Sequence, residues 1–117
     1  NYGHTVGHAI ESHKGYRGIS HGAAVAAGIL VMAEAGRRMG MLSDSEARRV
    51  CAIIEIYGLA PGPLEIDVED VCRHMEYDKK NAGGAINFVV LEGIGSPVYN
   101  RELPLGLLKE VMRDVLS

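Results

Sequence analysis

Residues 20–40 read SHGAAVAAGILVMAEAGRRMG, and this run decides the fold class. The Ser20 hydroxyl suits an N-cap, accepting from a backbone N–H that has no partner inside the helix. The spacing predicts a long apolar helix from about His21 to Met39, with Gly40 as its stop. Ala24, Val25, Ala27, Gly28, Val31, Met32 and Ala35 give it a face of small residues that can pack closely in a bundle.

Downstream, Ser43-Asp44-Ser45-Glu46 opens a further helix with a cap and with acids in its first turn. Val50, Ile53, Ile54 and Tyr57 follow at helical spacing, and Gly58 ends it. Pro61-Gly62-Pro63 is a turn. Asp67 to about Tyr77 reads as a helix with Val68, Val71, Cys72 and Met75 inward. Asp78-Lys79-Lys80-Asn81 and Gly83-Gly84 read as a polar loop. Ile86–Leu91 is the clearest strand, paired with Val98-Tyr99 across the Gly93–Gly95 turn. Leu105–Leu116 is an amphipathic helix. Upstream, Tyr2 to about His13 reads as a short helix, with Gly3 and Gly7 leaving one face bare for another backbone or a ligand. Lys14 to Gly18 is a loop. The expected fold class is mainly α with one small β-hairpin, as a single domain over residues 1–117.

Composition bounds the function. The chain has 117 residues, enough for one domain with a real core. Its net charge of −3 gives no broad case for nucleic acid or an anionic membrane. No Trp and a single Phe argue against a stacking platform for single strands. Cys51 and Cys72 have no metal-like spacing and read as small buried hydrophobes in a reducing cytoplasm. No signal peptide is visible, and no apolar run approaches the roughly 20 residues of a membrane span. The chain opens at Asn1, inside a motif and without Met, so we read it as a fragment with functional partners upstream.

Of the four histidines in the first 21 residues, His4, His8 and His21 are the candidates for chemistry. On a helix, His4 and His8 share a face about 6 Å apart along the axis. His21 opens the next helix. Neutral imidazole is a common zinc ligand, and a catalytic zinc takes three protein ligands with one open position. His4, His8, His21 and Glu11 are the candidates, and spacing leaves the choice among them open. Surface or hydrogen-bonded histidines would look the same one at a time.

Asn1-Tyr2-Gly3-His4-Thr5-Val6-Gly7-His8-Ala9-Ile10-Glu11 resembles the N-x-G-H-T-x-G-H-A-x-E signature of the 3-dehydroquinate synthase family. His21-Gly22-Ala23-Ala24-Val25-Ala26-Ala27-Gly28 is similar to the H-G-E-x-V-x-x-G that follows it in that family. Asp78-Lys79-Lys80, Gly83, Ile86–Leu91 and Ile94-Gly95 resemble a later stretch. The resemblance covers nearly the whole chain in order.

The resemblance implies the helical C-terminal domain of an NAD- and zinc-dependent, phosphate-eliminating cyclase, with Co2+ or another divalent ion as an alternative metal. The NAD site would lie in an N-terminal domain, and the active site in the cleft between the two domains. The family reaction converts 3-deoxy-D-arabino-heptulosonate 7-phosphate to 3-dehydroquinate and phosphate, a step of the shikimate route to aromatic amino acids. His4 and His21 would bind zinc, with a third ligand from outside this chain. His8 would transfer protons. Asn1, His4 and His21 would contact substrate, as would Lys79 or Lys80. The implied partners are a sugar-phosphate substrate and the chain's own NAD-binding domain, in a cytoplasmic enzyme compatible with a homodimer. Alone, this chain would be inactive.

One position departs from the pattern: Ala23 stands where the family usually has glutamate. That removes the reciprocal half of a capping box with Ser20 and puts strict substrate specificity in doubt. The rival readings are a 2-deoxy-scyllo-inosose or valiolone-type cyclase, a metal-dependent polyol dehydrogenase, and a non-enzymatic helical module with a structural metal.

Overall fold

The long apolar run forms a helix over His21–Arg38 in the computed structural model, which describes residues 4–14, 19–58, 66–81, 88–91, 97–101 and 104–116. Side chains are described for residues 6–14, 19–58, 66–77 and 104–116. In chain order the elements are α1 (His4–His13), α2 (His21–Arg38), α3 (Asp44–Ile56), α4 (Val68–Asn81), β1 (Phe88–Leu91), β2 (Pro97–Arg101) and α5 (Leu105–Leu116). The expectations at Asn1–Gly3, Gly15–Gly18, Pro61–Pro63, Gly83–Gly84, Ile86-Asn87 and Gly93–Gly95 lie outside the described residues.

Helix α2 is the centre of the fold. It starts where Ala23 N–H donates to Ser20 Oγ at 3.1 Å. It ends before Gly40, whose φ of 75° is a left-handed conformation that a Cβ would strain. Val25, expected inside, is half-buried, whereas Ala26, Ala33 and Gly36 lie off the expected face and are buried. The cause is cover on more than one side: α1, α3, α5 and β1 all pack against α2. Small residues suit a helix enclosed in this way. The main cluster joins Val6, Ala9 and Ile10 of α1 to Val31 and Met32 of α2. Val71 and Met75 of α4 and Leu108 and Met112 of α5 complete it.

Helix α3 carries a full capping box: Glu46 N–H donates to Ser43 Oγ and Ser43 N–H to Glu46 Oε1, each at 3.1 Å. Of the four apolar residues at helical spacing on or next to it, only Ile54 is buried; Ile53 is 50% and Tyr57 74% exposed. Helix α3 packs chiefly on α2, and one partner covers only a narrow stripe. Helix α4 corrects a second expectation, because it runs on through Asp78, Lys79, Lys80 and Asn81 instead of yielding to a loop. Polarity does not break a helix; lysine is a good helix former, and the first glycine comes only at Gly83. Val68, Val71, Cys72 and Met75 are buried as expected. Strands β1 and β2 pair antiparallel, Val90 opposite Val98 and Leu91 opposite Pro97, with an irregularity between Phe88 and Val90.

Two polar devices lock the helices. At the end of α1, His13 Nδ1 donates to Asp70 Oδ2, and His13 Nε2 accepts from Asp67 N–H at 3.1 Å. These bonds hold one neutral tautomer and tie the C-terminal end of α1 to the start of α4. They also hold the Asp70 carboxyl below its ordinary range, with Arg73 adding to the effect. His13→Ala should lower stability by about 1–2 kcal/mol, read as a lower denaturant midpoint; an unchanged midpoint would show that solvent replaces both bonds.

The second device is Glu34, which accepts from Arg37 Nε and Nη2 and from Arg38 Nε at 2.7–2.8 Å. Arg38 reaches on to Asp114 of α5 at 2.7 Å. Arg37, then burial acting in opposition, then Arg38 set the Glu34 pKa, whose net movement is down from 4.5 to about 2. A shift of that size is worth ~3 kcal/mol before solvent screening and about 1–2 kcal/mol after it. Because the folded pKa is depressed, this stability is fully present above pH 4.5 and is lost as pH falls toward 2. Glu34→Gln should therefore be less stable than the parent at pH 7, with the gap closing across that acid window in urea titrations. A gap independent of pH would contradict the assignment.

Candidate functional site

The chemistry-bearing residues gather where α1 meets the start of α2. The approach is close because Gly7 has no side chain: a Cβ there would lie 2.9 Å from the Ala24 carbonyl oxygen and 3.3 Å from Val25 Cα. Any other residue at position 7 would hold the two helices apart. Val6, Ala9 and Ile10, fully buried on α1, fix its rotation.

Positions 4, 8 and 11 follow one another at i, i+4 and i+7 and so share one face of α1. His8 is exposed on that face. His4 lies in the first turn of α1, and its side chain is outside the described residues, as is Asn1. One turn beyond His8, Glu11 meets His21, the first residue of α2. His21 Nδ1 lies 3.1 Å from Glu11 Oε1 and 3.3 Å from Oε2. A carboxylate only accepts, so Nδ1 carries the proton and donates. The Glu11 side chain is 12% exposed and the His21 ring 71% exposed. Among the described residues, His21 Nε2 has no hydrogen-bond partner.

Among the described residues, no three His, Cys, Asp or Glu side chains converge as a metal site. The donor chemistry still suits one: a neutral imidazole anchored through Nδ1 presents an unprotonated Nε2, the form in which histidine binds zinc. Lys79 and Lys80 belong to the last turn of α4, and their side chains are outside those described. The structure thus brings Glu11 and His21 together and puts His8 on the same face of α1 as Glu11. The role of Glu11 as anchor of a ring nitrogen was missed, although Glu11 stood among the candidate ligands. Its sequence signals were its i+7 spacing from His4 and its place at the end of the Asn1–Glu11 motif.

Neither cysteine joins this site. Cys72 is buried and Cys51 half-buried, both are free thiols, and burial raises the pKa of each. Such thiols are poor nucleophiles. Among the described residues, no helix is long and apolar enough to cross a membrane.

Residues 1–81 match the family model described as 3-dehydroquinate synthase C-terminal. The chain is 43% identical over 114 residues to the 3-dehydroquinate synthase of Pseudoalteromonas atlantica, covering 96% of this chain and 32% of that protein. It is similar in structure to a 2-deoxy-scyllo-inosose synthase solved with carbaglucose-6-phosphate, NAD+ and Co2+. The TM-score is 0.87 at 28% identity, over 98% of this chain and 34% of that one. A 2-epi-5-epi-valiolone synthase from Streptomyces hygroscopicus, solved with NAD+ and Zn2+, shares the fold at 17% identity, with TM-score 0.84 over 97% of this chain and 31% of that one. The chain spans about a third of the length of the curated relatives it matches.

Proposed function

The chain belongs to the 3-dehydroquinate synthase C-terminal family, and from that premise we propose that it is the metal- and substrate-binding part of an enzyme converting 3-deoxy-D-arabino-heptulosonate 7-phosphate to 3-dehydroquinate and phosphate. The observation that supports this reading is the α1–α2 junction, where Glu11 anchors His21 Nδ1 and His8 lies exposed on the same face of α1 as Glu11. In this proposal residues 1–117 act as one domain, working in the cytoplasm with an NAD-binding domain.

His4 and His21 would hold the divalent metal, with a third ligand from outside the chain. Metal and NAD+, when bound, supply Lewis acidity at a substrate oxygen and reversible oxidation of an alcohol. The chain's own residues do the rest. His8, exposed on α1, moves a proton to or from substrate, as a positioned imidazole can. Lys79 or Lys80 steadies the anionic carboxylate or phosphate by charge-assisted hydrogen bonds. Asn1 orients a substrate hydroxyl. With Ala23 in place, Ser20 still caps α2 through the Ala23 N–H, without the reciprocal bond.

The test is phosphate release by the full-length protein with NAD+ and Zn2+, offered the seven-carbon 2-keto acid phosphate in one arm and a hexose 6-phosphate in the other. Release from the first, with 3-dehydroquinate as product, supports the proposal. Release only from the second favours a 2-deoxy-scyllo-inosose type of cyclase, the reading to which the structural likeness lends weight. Residues 1–117 alone should release no phosphate above background, and turnover by them would overturn the division of labour.

A further inference from the structure

We propose that Glu11 is a positioning residue that sets the tautomer and aim of His21 for metal binding. The inference rests on His21 being a ligand, the reading given above. Imidazole can bind a metal through either nitrogen, and in free histidine the two neutral tautomers exchange, so neither is locked. Here the choice is made by the fold. Glu11 is held by the α1 turn that buries Ala9 and Ile10, and its nearly buried carboxylate receives the Nδ1 proton of His21 through both oxygens. In the neutral ring the lone pair is then on Nε2, and the ring is 71% exposed.

A second histidine in the same chain shows what the alternative looks like. His13 Nδ1–H also donates to a carboxylate, Asp70, but its Nε2 accepts from the Asp67 N–H and its side chain is 17% exposed. That arrangement closes both nitrogens and is structural. His21 has the same kind of anchor, and among the described residues its second nitrogen has no hydrogen-bond partner. The identical device, left half satisfied at the surface, is what a preorganised ligand requires.

The roles of ligand and anchor make different demands on Glu11. An anchor needs only an acceptor, so a Gln carbonyl oxygen substitutes in part. A ligand needs the anionic carboxylate itself. Full-length parent, Glu11→Gln, Glu11→Ala and His21→Ala proteins would be compared in two measurements, zinc affinity by competition with a chromophoric chelator and ring-15N NMR of the metal-free proteins. The NMR identifies which nitrogen of His21 is protonated.

The expected result is Nδ1 protonation in the parent and in Glu11→Gln, and a shift toward Nε2 in Glu11→Ala. Zinc affinity should fall roughly 10–100-fold in Glu11→Ala and clearly less in Glu11→Gln. An unchanged His21 tautomer and zinc affinity in Glu11→Ala would overturn the proposal. So would a Glu11→Gln protein that keeps the Nδ1 proton yet loses zinc as fully as Glu11→Ala, because Glu11 would then be a ligand. His21→Ala separates the two levels: if it leaves zinc binding intact, the metal assignment of His21 itself fails.

Discussion

In the full-length protein, His8→Ala should cut phosphate release by roughly 10²–10⁴, the span of a positioned acid or base, while zinc stays near its normal stoichiometry. His4→Ala should lose zinc and activity together. The two positions are one turn apart on α1, so spacing alone would give them the same task. What separates them is the resemblance of Asn1–Glu11 to the family signature, together with the anchoring of His21. In the proposed site, one further imidazole and a ligand from outside the chain would complete a three-ligand site with an open position. The resemblance then implies proton transfer for His8. Elemental analysis alongside phosphate release distinguishes the roles: equal zinc loss in both variants would make His8 a ligand and remove the proton carrier from the mechanism.

Gly7→Ala should destabilise the fold by about 1–3 kcal/mol, the usual cost of forcing extra atoms into a packed contact. In a chain of this size that corresponds to a melting temperature lower by roughly 4–15 °C. The added Cβ would sit 2.9 Å from a backbone carbonyl oxygen of α2, which cannot swing away as a flexible side chain can. The relief must come from moving α1 off α2, and this is the junction across which Glu11 reaches His21. Zinc affinity should therefore fall with stability. Ala24→Gly should not rescue the variant, because the clash is with the backbone of residue 24 and not with its methyl group. A Gly7→Ala protein that melts with the parent would show that the helices have slack at this crossing.

Much of this architecture was legible because the relevant signals are local. Ser20 and Ser43 announced their helices through a hydroxyl three residues from an open N–H, and Gly40 and Gly58 closed them with positive φ. The i, i+3, i+4, i+7 pattern of Val68, Val71, Cys72 and Met75 gave the buried face of α4 correctly. The misses have a shared cause. Whether Ile53 and Tyr57 are covered depends on which elements reach α3, and periodicity carries no such information. Asp78–Asn81 read as a loop from polarity alone, although nothing in those four residues ends a helix. His13 and Asp70 are 57 positions apart, and no local pattern pairs them. At the site, motif and spacing singled out Glu11 and His21, which the structure brings together, but the division between ligand, anchor and acid depends on which nitrogen faces which oxygen.

The narrow footing of α3 bears on how the molecule breathes. With Ala47 and Ile54 as its buried residues and α2 as its main support, α3 can lift away while the shared core of α1, α2, α4 and α5 stays shut. Its amides should exchange with deuterium through such a partial opening, well before those of α2, whose exposure requires the whole core to come apart. The junction between Glu11 and His21 would then survive most spontaneous openings of the chain, because the piece that detaches most readily carries none of the residues proposed for metal, proton or substrate.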